Sequence, residues 1–246
     1  MLNRFLSQPR LERILILASL ALGFFHSWLG RYAMDPDGMS YLDLGQSFFR
    51  RDWAHAINAY WSPLYPMILG IFLGITKPPP KYEFPVVCLV NFVLFVLALF
   101  AFRFLLHALI AFSQLKPADH LPNEQAIGLP EWMFVLLGYV TFLWIALEVD
   151  PPWETTPDLA VVICVCVAAA ILLRLRPADQ TWRVAWFGLI LGIGYWAKAI
   201  LFPLGFVTLA ATYWWKRSLP GWGRGMLVAT LIFLATSTPL ITVLSH

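Results

Sequence analysis

The sequence predicts an all-α fold, a polytopic bundle of membrane-spanning helices. Of its 246 residues, 60% are hydrophobic and only 13% are charged, whereas about a quarter of the residues in soluble domains are charged. Mean hydropathy is +0.71, and apolar runs of membrane-spanning length recur along the chain. A net charge of +3 without a basic run argues against a nucleic-acid partner and leaves membrane lipids as the expected surroundings.

The apolar runs place seven predicted spans in a single transmembrane module over residues 1–246. The first run follows Arg4, Arg10 and Arg13, and no A-x-A cleavage site comes after it. It therefore predicts an uncleaved signal anchor whose N-terminus is cytoplasmic. The predicted spans are 14–30, 84–106, 132–147, 159–175, the two halves of 184–215, and 226–244.

The run 184–215 is predicted to form a hairpin of two short helices. It is too long for one span and short for two. Pro203 and the small residues Gly192 and Gly194 are expected to break it. The basic pair at its end favours a return to the cytoplasm, which leaves Lys198 near the outer turn of the hairpin.

The run 63–76 decides which loops share a side of the membrane. Apolar runs of about 10–14 residues are more often re-entrant or interfacial than spanning. If this run does not cross, basic residues favour the cytoplasmic side by eleven to six, and if it crosses the ratio reverses. The positive-inside rule therefore predicts a shallow helix that does not cross. The cytoplasmic eleven are Arg4, Arg10, Arg13, Arg103, Lys116, Arg174, Arg176, Arg183, Lys216, Arg217 and Arg224, and the outer six are Arg31, Arg50, Arg51, Lys77, Lys81 and Lys198.

The resulting topology collects acidic residues on the outer face. It gives extracytoplasmic loops at 32–83 and 148–158, and cytoplasmic loops at 107–131, 176–183 and 216–225. The two outer loops hold nine of the fourteen acidic residues. These are Asp35, Asp37, Asp43, Asp52, Glu83, Glu148, Asp150, Glu154 and Asp158.

The first outer loop predicts an amphipathic helix on the membrane surface, from Asp37 to about Arg51. Asp37 is a good N-cap residue, and the apolar residues that follow it recur at helical spacing. Asp37 and Tyr41 are four residues apart and would share one side of this helix. The alternative is that Asp37 only caps the helix and that Asp35 is a solvated loop carboxylate. The nearby aromatic residues Trp53, Tyr60, Trp61 and Tyr65 are typical of an interfacial belt.

The second outer loop ends with Asp158 directly on an apolar span. An ionisable side chain at that depth is a functional candidate. Lys198 lies in another apolar segment, where it either snorkels to the interface or contributes a buried positive charge. A lysine beside carboxylates at one depth suits chemistry on a lipid-linked phosphate, because one side supplies a base and the other neutralises the leaving anion.

The sequence gives no clear metal or cofactor motif. His26 and His55 have no partner at metal-ligand spacing. Carboxylates such as Asp37 and Asp158 can bind a hard divalent cation, so a cation at these two residues stays open. No other cofactor is predicted.

Three ordered segments resemble the GT-C superfamily of glycosyltransferases that use polyprenyl-phosphate sugars. The first is DPDGMSYLD (35–43) followed by YWSPLYP (60–66), similar to an outer loop with an acidic helix start and a proline pair. The second is TTPDL (155–159), similar to an outer-loop aspartate at the head of a span. The third is GLILGIGYWAK (188–198), a glycine-rich segment ending in lysine. Within this superfamily the chain looks most like the branch that contains lipid A aminoarabinose transferases, protein O-mannosyltransferases and galacturonosyltransferase-like bacterial proteins.

The resemblance implies a GT-C-like fold and a set of site residues. It implies that Asp37 is the catalytic base, that Asp158 is the second catalytic aspartate, and that Lys198 lies next to the donor phosphate. Asp35, Tyr41 and Asp43, in the same motif as Asp37, are expected to bind the substrate. Members of this family are usually longer, so the chain is expected to be an N-terminal half that is truncated at its C-terminus.

The resulting hypothesis is an inverting glycosyltransferase of the bacterial inner membrane. It would move a sugar from a polyprenyl-phosphate donor to a lipid, glycan or protein acceptor on the outer face. One alternative is a transporter or flippase for a lipid-linked or acidic small molecule, which would need paired broken helices at midplane. A second alternative is a non-catalytic assembly subunit. This alternative would be favoured if Asp37, Asp158 and Lys198 lay far apart in the structure.

Overall fold

A computed structural model describes residues 8–113, 130–175, 181–216 and 221–245. Every regular element within these ranges is helical, which confirms the all-α prediction. The helices are α1 (Gln8–Leu29), α2 (Pro36–Phe49), α3 (Trp53–Ala56), α4 (Leu64–Thr76), α5 (Glu83–Ser113), α6 (Glu131–Trp144), α7 (Asp158–Arg174), α8 (Thr181–Ala197), α9 (Leu201–Lys216) and α10 (Trp222–Leu244). A 3₁₀ turn at Pro80–Tyr82 precedes α5, and a π-helical turn at Ile145–Val149 extends α6.

Four of the described helices are long and apolar enough to cross a membrane, so the chain has the character of a membrane protein. They are α1, α5, α6 with its π turn, and α10. The other predicted spans form α7, α8 and α9, which have 17, 17 and 16 residues. At 1.5 Å per residue these helices measure about 24–26 Å, slightly less than the hydrocarbon core of a bilayer.

The first outer loop leaves and re-enters the bundle at one end. The Cys88 thiol in α5 donates to the carbonyl oxygen of Gly30, just after α1, with a sulfur–oxygen distance of 3.9 Å. Helix α4 lies between these two points and has only 13 residues, or about 20 Å of length. The segment 31–83 therefore starts and ends at one end of the bundle, and the shallow, non-crossing placement of 63–76 stays a prediction.

Helix α2 begins one residue earlier than predicted and has a different cap. Asp35, rather than Asp37, is the N-cap: its Oδ1 accepts a hydrogen bond from the Gly38 amide at 2.8 Å. Pro36 occupies the first helical position, where a missing N–H costs nothing. Asp37 therefore lies inside the first turn, and the helix ends at Phe49, near the predicted end.

Helices α2 and α4 cross closely through two glycines. A Cβ added to Gly45 would lie 2.8 Å from the carbonyl oxygen of Pro66, and one added to Gly70 would meet the carbonyl oxygen of Gly45. Tyr41 and Leu42 of α2 bury their side chains at this side of the bundle. The apolar face of this helix therefore packs on protein, and its predicted place on the membrane surface stays a prediction.

The predicted break in 184–215 is present, although its cause differs from the prediction. Helix α8 ends at Ala197 and α9 begins at Leu201, so Lys198 lies in the turn between them. Pro203 lies in the first turn of α9, where proline is tolerated. Gly192 and Gly194 lie inside α8, and a Cβ on Gly192 would lie 2.5 Å from the Thr236 Cβ of α10. These glycines allow close contact and do not end the helix.

The buried apolar side chains form two clusters that share α7. One cluster joins α2, α4, α5, α6 and the start of α7. The other joins the end of α7 with α8, α9 and α10. Helix α7 therefore connects the two halves of the bundle. The predicted cytoplasmic loops 107–131, 176–183 and 216–225 lie in large part outside the described residues.

Candidate functional site

Four of the residues selected from sequence line one cavity. The cavity is open, has a volume of about 410 Å³, and is lined by Asp37, Tyr41, Asp158 and Lys198. These side chains come from α2, from the start of α7 and from the α8–α9 turn. The two acidic loops and the lysine therefore converge at one end of the bundle, as the sequence hypothesis required.

An ion pair joins Asp158 and Lys198, the two charged residues of the cavity that do not belong to α2. Lys198 Nζ lies 2.5 Å from Asp158 Oδ1, and the two side chains are 45% and 38% exposed. The Lys198 amide donates to the Gly194 carbonyl, and the Lys198 carbonyl accepts from the Leu201 amide, both at 2.9 Å. These backbone bonds hold the turn that carries the lysine. An ammonium has three N–H donors, so this pair leaves Lys198 able to donate to a ligand.

A further carboxylate, that of Asp150, is linked to Asp158 through Thr156, and it was not among the site residues selected from the sequence. The Thr156 hydroxyl donates to Asp150 Oδ1 at 2.9 Å, and the Asp158 amide donates to the Thr156 hydroxyl oxygen at 3.5 Å. Burial raises the pKa of Asp150 to about 6, and the negative charges of Asp158 and Glu154 act in the same direction. A π-helical turn ends directly before Asp150, and such turns are frequent at functional sites.

Asp37 and Asp35 differ in what their carboxylates do. Asp37 is exposed, lies in the first turn of α2 and lines the cavity. Asp35 is half-buried and caps the helix through Gly38. Burial raises the pKa of Tyr41, and the charges of Asp158, Asp37 and Asp35 raise it further. Tyr41 is therefore a neutral phenol surrounded by carboxylates from both acidic loops.

Aromatic rings form one wall of the cavity. The Tyr41 and Trp61 ring centroids are 4.7 Å apart, as are those of Tyr60 and Trp61. The side-chain Oδ1 of Asn58 accepts from the backbone amides of Tyr60 and Trp61, which fixes this turn. Tyr60 is 81% exposed at the cavity edge. Composition alone indicated interfacial aromatics here, and only the fold reveals that they line the cavity.

Asp43 does not join the other selected residues. It is exposed and lines a different cavity of about 360 Å³, together with Arg50, Lys77 and Glu83. Asp37 and Asp43 are six residues apart on one helix, which places their side chains on different faces. The expectation that Asp43 contacts the same ligand as Asp37 therefore has no support in the geometry.

The described residues contain no group of three or more histidine, cysteine, aspartate or glutamate side chains that could hold a metal ion. Asp37 and Asp158 share the cavity, but Asp158 already pairs with Lys198. The carboxylate pair left open by the sequence thus lacks a third protein ligand of these types in the part of the chain described.

No protein-family model, curated protein or solved structure matches this chain. The resemblance to the GT-C superfamily therefore depends on the three sequence segments alone.

Proposed function

We propose that the chain is a GT-C-type glycosyltransferase of the bacterial inner membrane. It transfers a sugar from a polyprenyl-phosphate donor to a lipid, glycan or protein acceptor on the outer face. The proposal depends on one observation: Asp37, Asp158 and Lys198, from three separate segments, line a single cavity. The cavity offers a free carboxylate, a cation and an aromatic wall, which suit a base, a phosphate and a sugar ring.

Asp37, Lys198 and Asp158 have separate roles in an inverting displacement. Asp37 accepts the proton of the acceptor hydroxyl, whose oxygen attacks the anomeric carbon of the donor sugar. The bond between that carbon and the phosphate oxygen breaks, and the electron pair leaves with the polyprenyl phosphate. Lys198 donates to the departing phosphate and offsets its charge. Asp158 holds Lys198 through the ion pair and orients it toward the cavity.

The proposed topology has seven spans and a cytoplasmic N-terminus. In it, α7, α8 and α9 cross the bilayer together with the four longer helices, and their modest length matches a locally thinned or untilted crossing. The cavity then opens at the outer surface, where a lipid-linked sugar and its acceptor meet. Asp37, Asp158 and Lys198 lie at helix ends rather than halfway along helices, which favours an enzyme over a midplane transporter.

Sugar transfer measured in membranes that contain the chain tests the proposal. Asp37→Asn removes the base and keeps the side-chain shape, so turnover should fall by about 10²–10⁴-fold. Asp52→Asn is the control, because Asp52 is exposed and pairs with His55 away from the cavity. Near-normal turnover by an inserted Asp37→Asn protein would remove Asp37 from the mechanism.

Asp43→Asn separates the motif-based role of Asp43 from its observed position. If Asp43 binds the same substrate as Asp37, the KM of the Asp43→Asn variant for the donor should be higher than that of the unmodified chain. Its location in a second cavity predicts kinetics close to those of the unmodified chain. A clear rise in KM would show that the ligand spans both cavities.

A further inference from the structure

A second large cavity lies at the opposite end of α7. Its volume is about 640 Å³, and it opens between α5, α7 and α8. Asp158 is the first residue of α7 and Arg174 is the last, so about 25 Å of helix separates the candidate site from this cavity. Arg174 and Arg183 both line it, and no described carboxylate does. Two cationic side chains therefore lie in its wall, which in the proposed topology is at the depth of the other membrane leaflet.

Arg174 is held at the cavity wall. Its guanidinium carbon lies 4.1 Å from the centroid of the Phe104 ring, and its Nη2 donates to the Phe104 carbonyl oxygen at 3.3 Å. This bond uses one of the five N–H donors of a guanidinium. The planar fork of donors is well suited to a phosphate. Arg174 is therefore fixed on one side and able to bind an anion on the other.

Tryptophan and aliphatic side chains complete the cavity. Trp182 and Trp186 are 54% and 51% exposed, although both rings are large and apolar. Exposed tryptophans at helix ends are typical of the headgroup level of a membrane. Ile171, one turn before Arg174, and Ala111 add aliphatic surface to the wall. A soluble phosphate would use only the cations, whereas a phospholipid uses the cations, the tryptophans and the aliphatic wall.

We propose that this cavity binds an anionic phospholipid of the cytoplasmic leaflet. The lipid phosphate lies against Arg174 and Arg183, its glycerol lies between Trp182 and Trp186, and an acyl chain runs along Ile171. Basic cavities between helices at this side of a membrane are suited to anionic headgroups. The site is independent of the proposed glycosyl transfer, because it uses none of the residues that line the outer cavity.

Lipid binding to the purified chain in detergent tests the proposal. Native mass spectrometry with phosphatidylglycerol and phosphatidylcholine should show preferential retention of phosphatidylglycerol. Each positive charge near an anionic headgroup contributes about fivefold in affinity. Arg174→Gln with Arg183→Gln should therefore reduce phosphatidylglycerol affinity by roughly 25-fold. Arg50→Gln with Arg51→Gln removes the same charge at the end of α2 and should change the affinity less than about twofold.

Two further measurements keep the proposal falsifiable if the glutamine variant is unstable. Arg174→Lys with Arg183→Lys retains the charge and should keep a preference for phosphatidylglycerol. Glycerol phosphate carries the headgroup anion without acyl chains and should not displace the bound lipid at equal concentration. Equal retention of the two lipids, an unchanged affinity in a folded glutamine variant, or displacement by glycerol phosphate would each overturn the phospholipid assignment.

Discussion

Lys198 and Asp158 are separated by 40 positions in the sequence, and their side chains form an ion pair at 2.5 Å. The pair joins the α8–α9 turn to the first residue of α7. Because both side chains are about two-fifths exposed, the pair contributes little to folding stability. Its main effect is positional, since it holds a cation at the wall of the cavity that Asp37 and Tyr41 also line.

Lys198→Met should weaken phosphate binding far more than it weakens the fold. A charge-assisted hydrogen bond is worth about 1.5–3 kcal/mol, so affinity for polyprenyl phosphate should fall about 10–150-fold. The free energy of unfolding should change by less than about 1 kcal/mol. Binding of a fluorescent polyprenyl phosphate and thermal unfolding in detergent measure the two effects.

Lys81→Met is the matched control, because Lys81 is an exposed lysine at the same end of the bundle. Lys198→Arg should recover part of the affinity, since it keeps a positive charge. If Lys198→Met binds the lipid phosphate normally, the lysine is only a structural partner of Asp158.

Because of Asp150, the free energy of unfolding should fall as the pH rises from about 4 to 6. Its pKa in the folded chain is about 6, above the ordinary value near 4, so the folded state binds this proton more tightly. The stability that the proton contributes is complete below pH 4 and is lost as the pH rises through 6. Thermal unfolding in detergent across this range should show the decline.

Asp150→Asn tests the assignment of that titration. The asparagine oxygen still accepts from Thr156, but the side chain no longer ionises, so the decline between pH 4 and 6 should flatten. Glu148→Gln is the comparison, because Glu148 is exposed two residues earlier. A decline that persists unchanged in Asp150→Asn would assign it to another group.

Asn91 connects the two acidic loops through the interior of the bundle. Its side-chain Oδ1 accepts from the Tyr65 hydroxyl, and its side-chain Nδ2 donates to the Glu154 backbone carbonyl, both at 2.7 Å. Asn91→Leu leaves the buried Tyr65 hydroxyl without this partner, at about 1–3 kcal/mol, and also frees the half-buried Glu154 carbonyl. We expect a clearly lower melting temperature and faster proteolysis of the loop between Asp150 and Asp158.

Tyr65→Phe separates loop anchoring from general destabilisation. It removes only the hydroxyl and leaves the Asn91–Glu154 bond in place. In the Tyr65→Phe variant the loop between Asp150 and Asp158 should therefore stay protected from proteolysis, even if the melting temperature of the protein falls. Equal loop proteolysis in both variants would mean that Asn91 does not anchor the second loop.

Hydropathy and charge were sufficient to predict the helical class and four of the membrane-length helices, because apolar length is a local property. Lys198 in a turn was also predictable from the length of 184–215. The cap was predicted at Asp37 and is Asp35, although Pro36 is favoured at the first helical position and so already pointed to the residue before it. The role of Asp150 depends on Thr156 and on burial, which no local pattern reveals.

The crossing of α2 and α4 predicts a strong size limit at Gly70. An added Cβ would meet the Gly45 backbone carbonyl, which cannot move aside as a side chain can. Gly70→Ala should therefore cost about 1–3 kcal/mol by overpacking, and it should separate the helix that carries Asp37 from its support. Gly223→Ala in α10 is the control, since its nearest neighbour would be 4.0 Å away and alanine favours a helix. Thermal unfolding in detergent should show a loss for the first variant and no loss for the second. If Gly70→Ala is as stable as Gly223→Ala, the two helices are not in backbone contact, and the position of α2 must depend on other packing.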